Sequence, residues 1–234
     1  MRLPERLLVV LGLALGAMAH ADPVDLKPFR ATYTAEWKGM TAATSTLELR
    51  RGAGDQYTYS SVNVPRGMFR MALPDSLTQV STFRLVDGRV QPLFFRGSDE
   101  KERPIDLTFD WSKMRVTGVA KERQVDVELV AGTQDPMSLQ IGSLRDLAAA
   151  KIIPSVWMMD GDKLKQYELK LEGTARIETE LGELDTVVYT SRRAGSDRVT
   201  RTWVAPALGY LPVRAERIRG KKTELTLLIE SVER

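Results

Sequence analysis

The stretch Thr133-Gln-Asp-Pro-Met-Ser-Leu-Gln-Ile-Gly-Ser-Leu-Arg-Asp-Leu-Ala-Ala-Ala150 reads as a helix in a chain otherwise patterned as strands. Asp135 stands where an N-cap belongs, because a short carboxylate accepts from the orphan N–H groups of a first turn and suits the positive end of the helix dipole. Pro136 follows at the first helical position, where its missing N–H costs nothing. Met137, Ile141, Leu144 and Ala148 recur at helical spacing and make one apolar stripe. The spacing predicts a helix over about 136–149.

On either side the period changes from helical to two. Phe29, Ala31, Tyr33, Ala35 and Trp37 alternate with Arg30, Thr32, Thr34, Glu36 and Lys38, which is a strand with one buried and one wet face. Similar runs follow through Thr41–Arg51, Gln56–Val64, Ser76–Val86, Val90–Phe95, Ile105–Trp111, Met114–Val119 and Gln124–Val130. Asp87-Gly88 between two of them is a hairpin signal. After the helix, Ile152, Val156 and Met158 lie on a strand interrupted by Pro154. Tyr167–Leu171, Ala175–Glu180, Leu184–Arg192, Arg198–Val204, Leu208–Ile218 and Glu224–Val232 complete the series. Short strands at regular spacing, with turns between, predict a mainly β fold. The expected architecture is one curved antiparallel sheet, half-barrel or barrel-like, with one main helix, in a single domain over 22–234.

The N-terminus is patterned as a targeting segment. Arg2 and Arg6 precede the apolar run Leu7–Met18, and Ala19-His20-Ala21 is a small-x-small cleavage site. The run is too short to cross a bilayer core of ~30 Å with stable flanks. A periplasmic protein cleaved after Ala21 is expected. There is no cysteine, so the fold cannot depend on disulfides.

The lone histidine, His20, lies in that targeting segment. The exported part therefore carries neither His nor Cys. Cys/His zinc sites, His-ligated haem, Ser-His-Asp triads and Cys-His pairs are all excluded there. Ser98-Asp-Glu-Lys101 matches S-x-x-K but lacks the accompanying motifs of penicillin-binding enzymes. Asp106 and Asp110 alternate with apolar residues and read as a wet strand face rather than a glycosidase pair. Asp160-Gly-Asp162 has the wrong glycine and no distal glutamate for a calcium loop. Arg192, Arg193, Arg198 and Arg201 flank a turn at Gly195 and read as a solvated turn, with phosphate recognition as the alternative. The formal charge of +3 is mixed along the chain and does not point to nucleic acid. No cofactor, no metal and no enzymatic activity are expected.

Two functional classes stay open. One is a binding or carrier protein of the cell envelope, whose sheet and helix enclose an apolar cavity for a lipid, acyl chain or lipidated partner. The other is a structural or interaction protein with a filled core. For the first, the expected cavity lining is Ala35, Trp37, Met68, Phe69, Met71, Met137, Ile141, Trp203 and Ala215. Met68, Phe69 and Met71 would form a flexible apolar lip. Small inward residues, among them Ala31, Ala35, Val125, Val127, Val213 and Ala215, would leave the concave face hollow.

Several motifs carry a resemblance. Thr133-Gln-Asp-Pro-Met-Ser-Leu139, Leu164-Lys-Gln-Tyr-Glu-Leu169, Leu181-Gly-Glu-Leu-Asp-Thr186, Thr202-Trp-Val-Ala-Pro206 and Tyr210-Leu-Pro-Val213 together resemble the bacterial family known as domain of unknown function 3108. Ala31-Thr-Tyr33 and Asp110-Trp111 fit it too. The resemblance implies an exported, β-rich protein and brings no catalytic residues. In the C-terminal third, Trp203, Leu211-Pro212 and a strand pair with a Gly turn are similar in pattern to the lipoprotein carrier and receptor family of LolA/LolB type and its sigma-factor-regulator relatives. That likeness implies an antiparallel half-barrel with helices over an apolar cavity.

Overall fold

The computed structural model describes residues 26–72, 76–98, 103–151 and 153–234. Residues 1–21, expected to be a targeting segment, Leu73, Asp99 to Lys101 of the S-x-x-K match, and Ile152 lie outside the described residues.

Fourteen strands form one antiparallel sheet. They are β1 (Phe29–Trp37), β2 (Met40–Arg51), β3 (Gln56–Pro65), β4 (Leu77–Val86), β5 (Arg89–Ser98), β6 (Pro104–Asp110), β7 (Arg115–Ala120), β8 (Arg123–Glu128), β9 (Ser155–Asp160), β10 (Lys163–Thr179), β11 (Gly182–Arg193), β12 (Arg198–Ala205), β13 (Leu211–Arg219) and β14 (Lys222–Glu233). A four-residue helix α1 (Phe69–Ala72) follows β3, and the main helix α2 (Ser138–Ala148) joins β8 to β9. The order across the sheet is β8-β7-β6-β5-β4-β3-β2-β1-β14-β13-β12-β11-β10-β9. Strands adjacent in the sheet are consecutive in the chain except at one seam. There β1 meets β14, with Tyr33 opposite Ile229 and Ala35 opposite Leu227.

The two edges, β8 and β9, are not paired with each other, so the sheet is curved but not closed into a barrel. They still come close. Lys121 in the β7–β8 turn reaches Asp162 in the β9–β10 turn at 3.2 Å, and Arg123 lies 3.7 Å from the same carboxylate. Gln134, just before α2, covers part of the β9 edge. Its N–H donates to Trp157 O at 2.8 Å and its carbonyl accepts from Met159 N at 2.9 Å. Partial covering of this kind protects an edge that would otherwise pair with another chain.

The concave face carries the core. Tyr33, Tyr59, Phe83, Phe95, Leu49 and Leu107 are fully buried, as are Met137 and Ile141 of the helix segment. Tyr57 stacks on Phe83 with ring centroids 5.6 Å apart. Each such side chain contributes about 1.5–3 kcal/mol relative to its exposed state. The Asp87-Gly88 turn has both residues at positive φ, 50° and 73°, as a two-residue hairpin requires.

Three sequence expectations are corrected. Tyr167–Leu171 and Ala175–Glu180 are one strand of 17 residues, β10, because an irregularity between Leu171 and Gly173 bends the strand without ending it. The strand expected from Leu208 starts at Leu211, after a 3-10 turn over Pro206–Leu208 and a left-handed Gly209. The aperiodic Met-rich stretch after β3 contains the short helix α1.

Candidate functional site

Helix α2 is held against the sheet by its first turn. The Asp135 carboxylate accepts from the N–H groups of Met137 and Ser138, both at 2.8 Å, and Ser138 Oγ accepts in return from Asp135 N at 2.9 Å. This is a reciprocal capping box with serine in the glutamate position. Regular helix is assigned from Ser138, two residues later than the sequence suggests. The Asp135 carbonyl nevertheless accepts the first i to i+4 bond, from Leu139 N at 3.0 Å. At the other end Ala150 has φ +52°, with Ala150 N bonded to Leu147 O at 3.0 Å and Lys151 N to Asp146 O at 2.7 Å. That pair of bonds is a Schellman motif with alanine in the position glycine prefers.

One flank of α2 packs against β4 and β5. Ser81 Oγ donates to Asp135 Oδ2 at 2.6 Å, and the buried Arg145 guanidinium donates to Gly88 O at 3.3 Å. Burial pushes the Asp135 carboxyl up to about 6, against the pull of its hydrogen bonds from Ser81, Ser138 and Met137.

The other flank faces a hollow of about 260 Å³. Leu139, Gln140 and Ser143 of α2 border it on one side. Opposite them lie Tyr33, Tyr189, Thr202, Ala215 and Leu227 from the seam and the C-terminal strands. The lining is mainly apolar, with hydroxyls spaced along it. Tyr33 donates to Pro212 O at 2.8 Å, Tyr59 behind it donates to Gln140 Oε1 at 3.3 Å, and Tyr189 is hydrogen-bonded to Thr202. Burial raises all three phenols above their ordinary value, so they are neutral hydroxyls at neutral pH.

A second hollow of about 220 Å³ lies between α2, the β4–β5 turn and β9, bordered by Gln134, Arg145 and Trp157. Gln134 Nε2 donates to Val90 O at 2.9 Å, while its buried Oε1 has no hydrogen-bond partner among the described residues.

Of the residues expected to line a cavity, Ala215 borders the 260 Å³ hollow. Met137 and Ile141 are buried in the packed core and do not border it, because the helix turns its stripe to the sheet. Ala35 is buried beside Leu227 without bordering the space. Trp37 pairs with Leu225 and lies under Lys38, outside the lining. Trp203 is on the opposite face of β12 from Thr202, between Arg201 and Arg214. Met68 and Met71 are 68% and 87% exposed, and neither they nor the half-buried Phe69 line the hollow. Of the small inward residues, Ala31, Val125 and Val213 sit in the packed core.

Sequence reasoning missed Tyr33, Leu139, Gln140, Ser143, Tyr189 and Leu227. The available signal was Leu139, an apolar residue off the helix stripe, which means that a second helix face meets something other than water.

The carboxylates singled out earlier are engaged in local pairs. Arg96 holds Asp106 at 2.9 Å. Hydrogen bonds from Ser112 and Lys113 hold the exposed Asp110 carboxyl well below its usual range. Asp160 pairs with Lys165 at 2.7 Å. Around Gly195, Arg192 meets Glu168 at 2.6 Å, Arg201 meets Glu172 at 2.8 Å and Arg198 approaches Glu224 at 3.2 Å.

This architecture agrees with comparisons to known proteins. Residues 32–225 match the model of the family described as protein of unknown function DUF3108. The chain belongs to this family. No curated protein sequence matches this DUF3108 chain. Among solved structures it is similar to a β-barrel-like protein of the DUF1849 family from Brucella abortus. That match has 12% identity, covers 88% of this chain and 97% of the other, and has a TM-score of 0.55. It shows the fold. Weaker likenesses include the MucA/MucB complex of Pseudomonas aeruginosa (14% identity, 88% of this chain and 51% of that one, TM-score 0.38). A protein with a YmcC-like fold from Bacteroides fragilis gives 10% identity, 88% and 94% coverage and a TM-score of 0.37. Among the described residues no helix is long and apolar enough to cross a membrane.

Proposed function

We propose that this DUF3108 protein is a non-enzymatic binding or carrier protein of the bacterial envelope, holding an apolar chain between α2 and the C-terminal strands. The observation that carries the reading is the 260 Å³ hollow bordered by Leu139, Ala215 and Leu227, with neutral hydroxyls along its wall. An apolar space inside an exported protein favours an apolar guest, since water there would find few partners. The guest is a lipid, an acyl chain or the lipid of a lipidated partner. The address is the periplasm, reached by cleavage after Ala21. Intact mass of the protein from periplasmic extract checks this; a mass retaining Met1 to Ala21 removes the address.

The ligand test compares two substitutions of equal chemistry. Ala215→Leu fills the hollow, whereas Ala35→Leu overpacks a site beside it. Titration with a long-chain fatty acid and with an apolar dye should show Ala215→Leu weakening binding at least tenfold with little change in melting temperature. Ala35→Leu should cost ~1–3 kcal/mol of stability instead. Absence of binding by the unsubstituted protein, with both variants destabilised, transfers the function to the surface and favours an interaction protein.

A further inference from the structure

We infer that the end of the sheet bearing α1 is a docking surface for an anionic lipid bilayer, with Met68 and Met71 as the inserting residues. The inference stands apart from the hollow and does not rest on its contents.

Met68 and Met71 are 68% and 87% exposed, beside and on a four-residue helix that follows the end of β3. Single exposed apolar residues are ordinary, but these two have company. Met40, at the start of β2, and Val64, near the end of β3, are also exposed at this rim. Methionine is unbranched and polarizable, which suits an irregular acyl boundary better than a fixed protein groove.

Charge supplies the second argument and selects the occupant. Arg66 precedes the two methionines and Arg70 stands between them, and Lys38 lies in the β1–β2 turn at the same rim, to which Arg66 N is tied through Ala42 O at 2.7 Å. Among the described residues no carboxylate lies within ion-pair distance of Arg66, Arg70 or Lys38. Elsewhere on the sheet Arg96, Arg115, Arg176, Arg192 and Arg201 each lie against one. A rim whose cations have no carboxylate in reach among the described residues, set around exposed apolar side chains, complements a surface that is apolar below and negatively charged above. The long stems of Arg and Lys let the charge stay at headgroup level while the tips enter. The recess of about 430 Å³ bordered by Gln79, Ser98, Lys121, Gly161 and Arg198 is at this same end, so docking would present it to the bilayer.

The test is co-sedimentation of the full chain with vesicles of phosphatidylglycerol mixed into phosphatidylcholine, and with phosphatidylcholine alone. Variants M68S/M71S and R66Q/R70Q are made in the same background, so anything contributed by Leu7–Met18 is common to all. Because these side chains are exposed, melting temperatures should match the unsubstituted protein; M71S alone serves if the double variant does not fold. The expected result is at least tenfold weaker partitioning onto anionic vesicles for M68S/M71S. Weaker partitioning with loss of salt dependence is expected for R66Q/R70Q, and little binding of any form to neutral vesicles. Equal partitioning of all forms, or none by the unsubstituted chain, overturns the inference. So does a result in which M68S/M71S leaves vesicle binding intact but abolishes self-association in sedimentation, because the patch is then an interface between copies.

Discussion

Ser81 and Asp135 are joined by a 2.6 Å hydrogen bond in the buried interior, although 54 residues separate them in the chain. The bond ties the cap of α2 to the inner face of β4, so one carboxylate serves both the helix start and the docking of the helix. Asp135→Ala should therefore cost more than an ordinary cap. Losing a cap costs about 1 kcal/mol. The buried Ser81 hydroxyl would also lose its partner, at about 1–3 kcal/mol. A denaturant midpoint lowered by no more than a surface substitution would show that the site rearranges.

Asp135 should also give stability a pH dependence. Its folded value of about 6 lies above its ordinary 3.8, so the folded protein binds this proton more tightly than the unfolded chain. The stabilisation is fully present below about pH 4 and is lost as pH rises through about 6, with a span on the order of 3 kcal/mol. Asp135→Asn keeps an oxygen for the two N–H groups and carries no charge. The difference in unfolding free energy between Asp135→Asn and the unsubstituted protein should grow in favour of the asparagine between about pH 4 and pH 7. A difference that stays flat across this range would mean that Asp135 ionises inside the fold at no cost.

The helix stripe should behave as core. Ile141→Ala and Leu144→Ala should each cost ~2–5 kcal/mol, because both side chains are buried against the sheet. Chemical denaturation measures this. A silent Leu144→Ala would mean that the helix end detaches without consequence.

The helix terminus offers a stabilising change. Ala150 is exposed and holds φ +52°, a conformation that costs a residue with a Cβ about 1–2 kcal/mol. Ala150→Gly removes that cost and adds back some unfolded-state entropy, so a net gain of about 0.5–1 kcal/mol is expected in a thermal melt.

Gly118 is the reverse case. At φ 144°, a Cβ there would stand 2.0 Å from the Asp106 carbonyl oxygen on the neighbouring strand. The Asp106 carbonyl and the Gly118 backbone that would carry the Cβ both belong to paired strands, so neither can yield. Gly118→Ala should unpair β6 from β7 and leave little folded protein, read as lost expression or a melting temperature lowered by well over 10 °C, about what a loss of several kcal/mol produces in a chain of this size.

The sequence alone determined the period of each strand, the cap at Asp135 and the apolar stripe of α2. These are local properties, set by backbone hydrogen bonding within a few residues and by which side chains avoid water. It also determined that residues 22–234 hold no histidine or cysteine. Which residues border the hollow was decided only in three dimensions. Trp203 and Thr202 are adjacent in the chain, and register alone sends one to each face. Ala35 and Ala215 look alike in their strands, yet one is buried beside Leu227 without bordering the hollow and the other borders it. The difference comes from the β1–β14 seam and from the side of α2 on which each strand falls. Both are set by pairings between residues nearly two hundred positions apart, which no local pattern encodes.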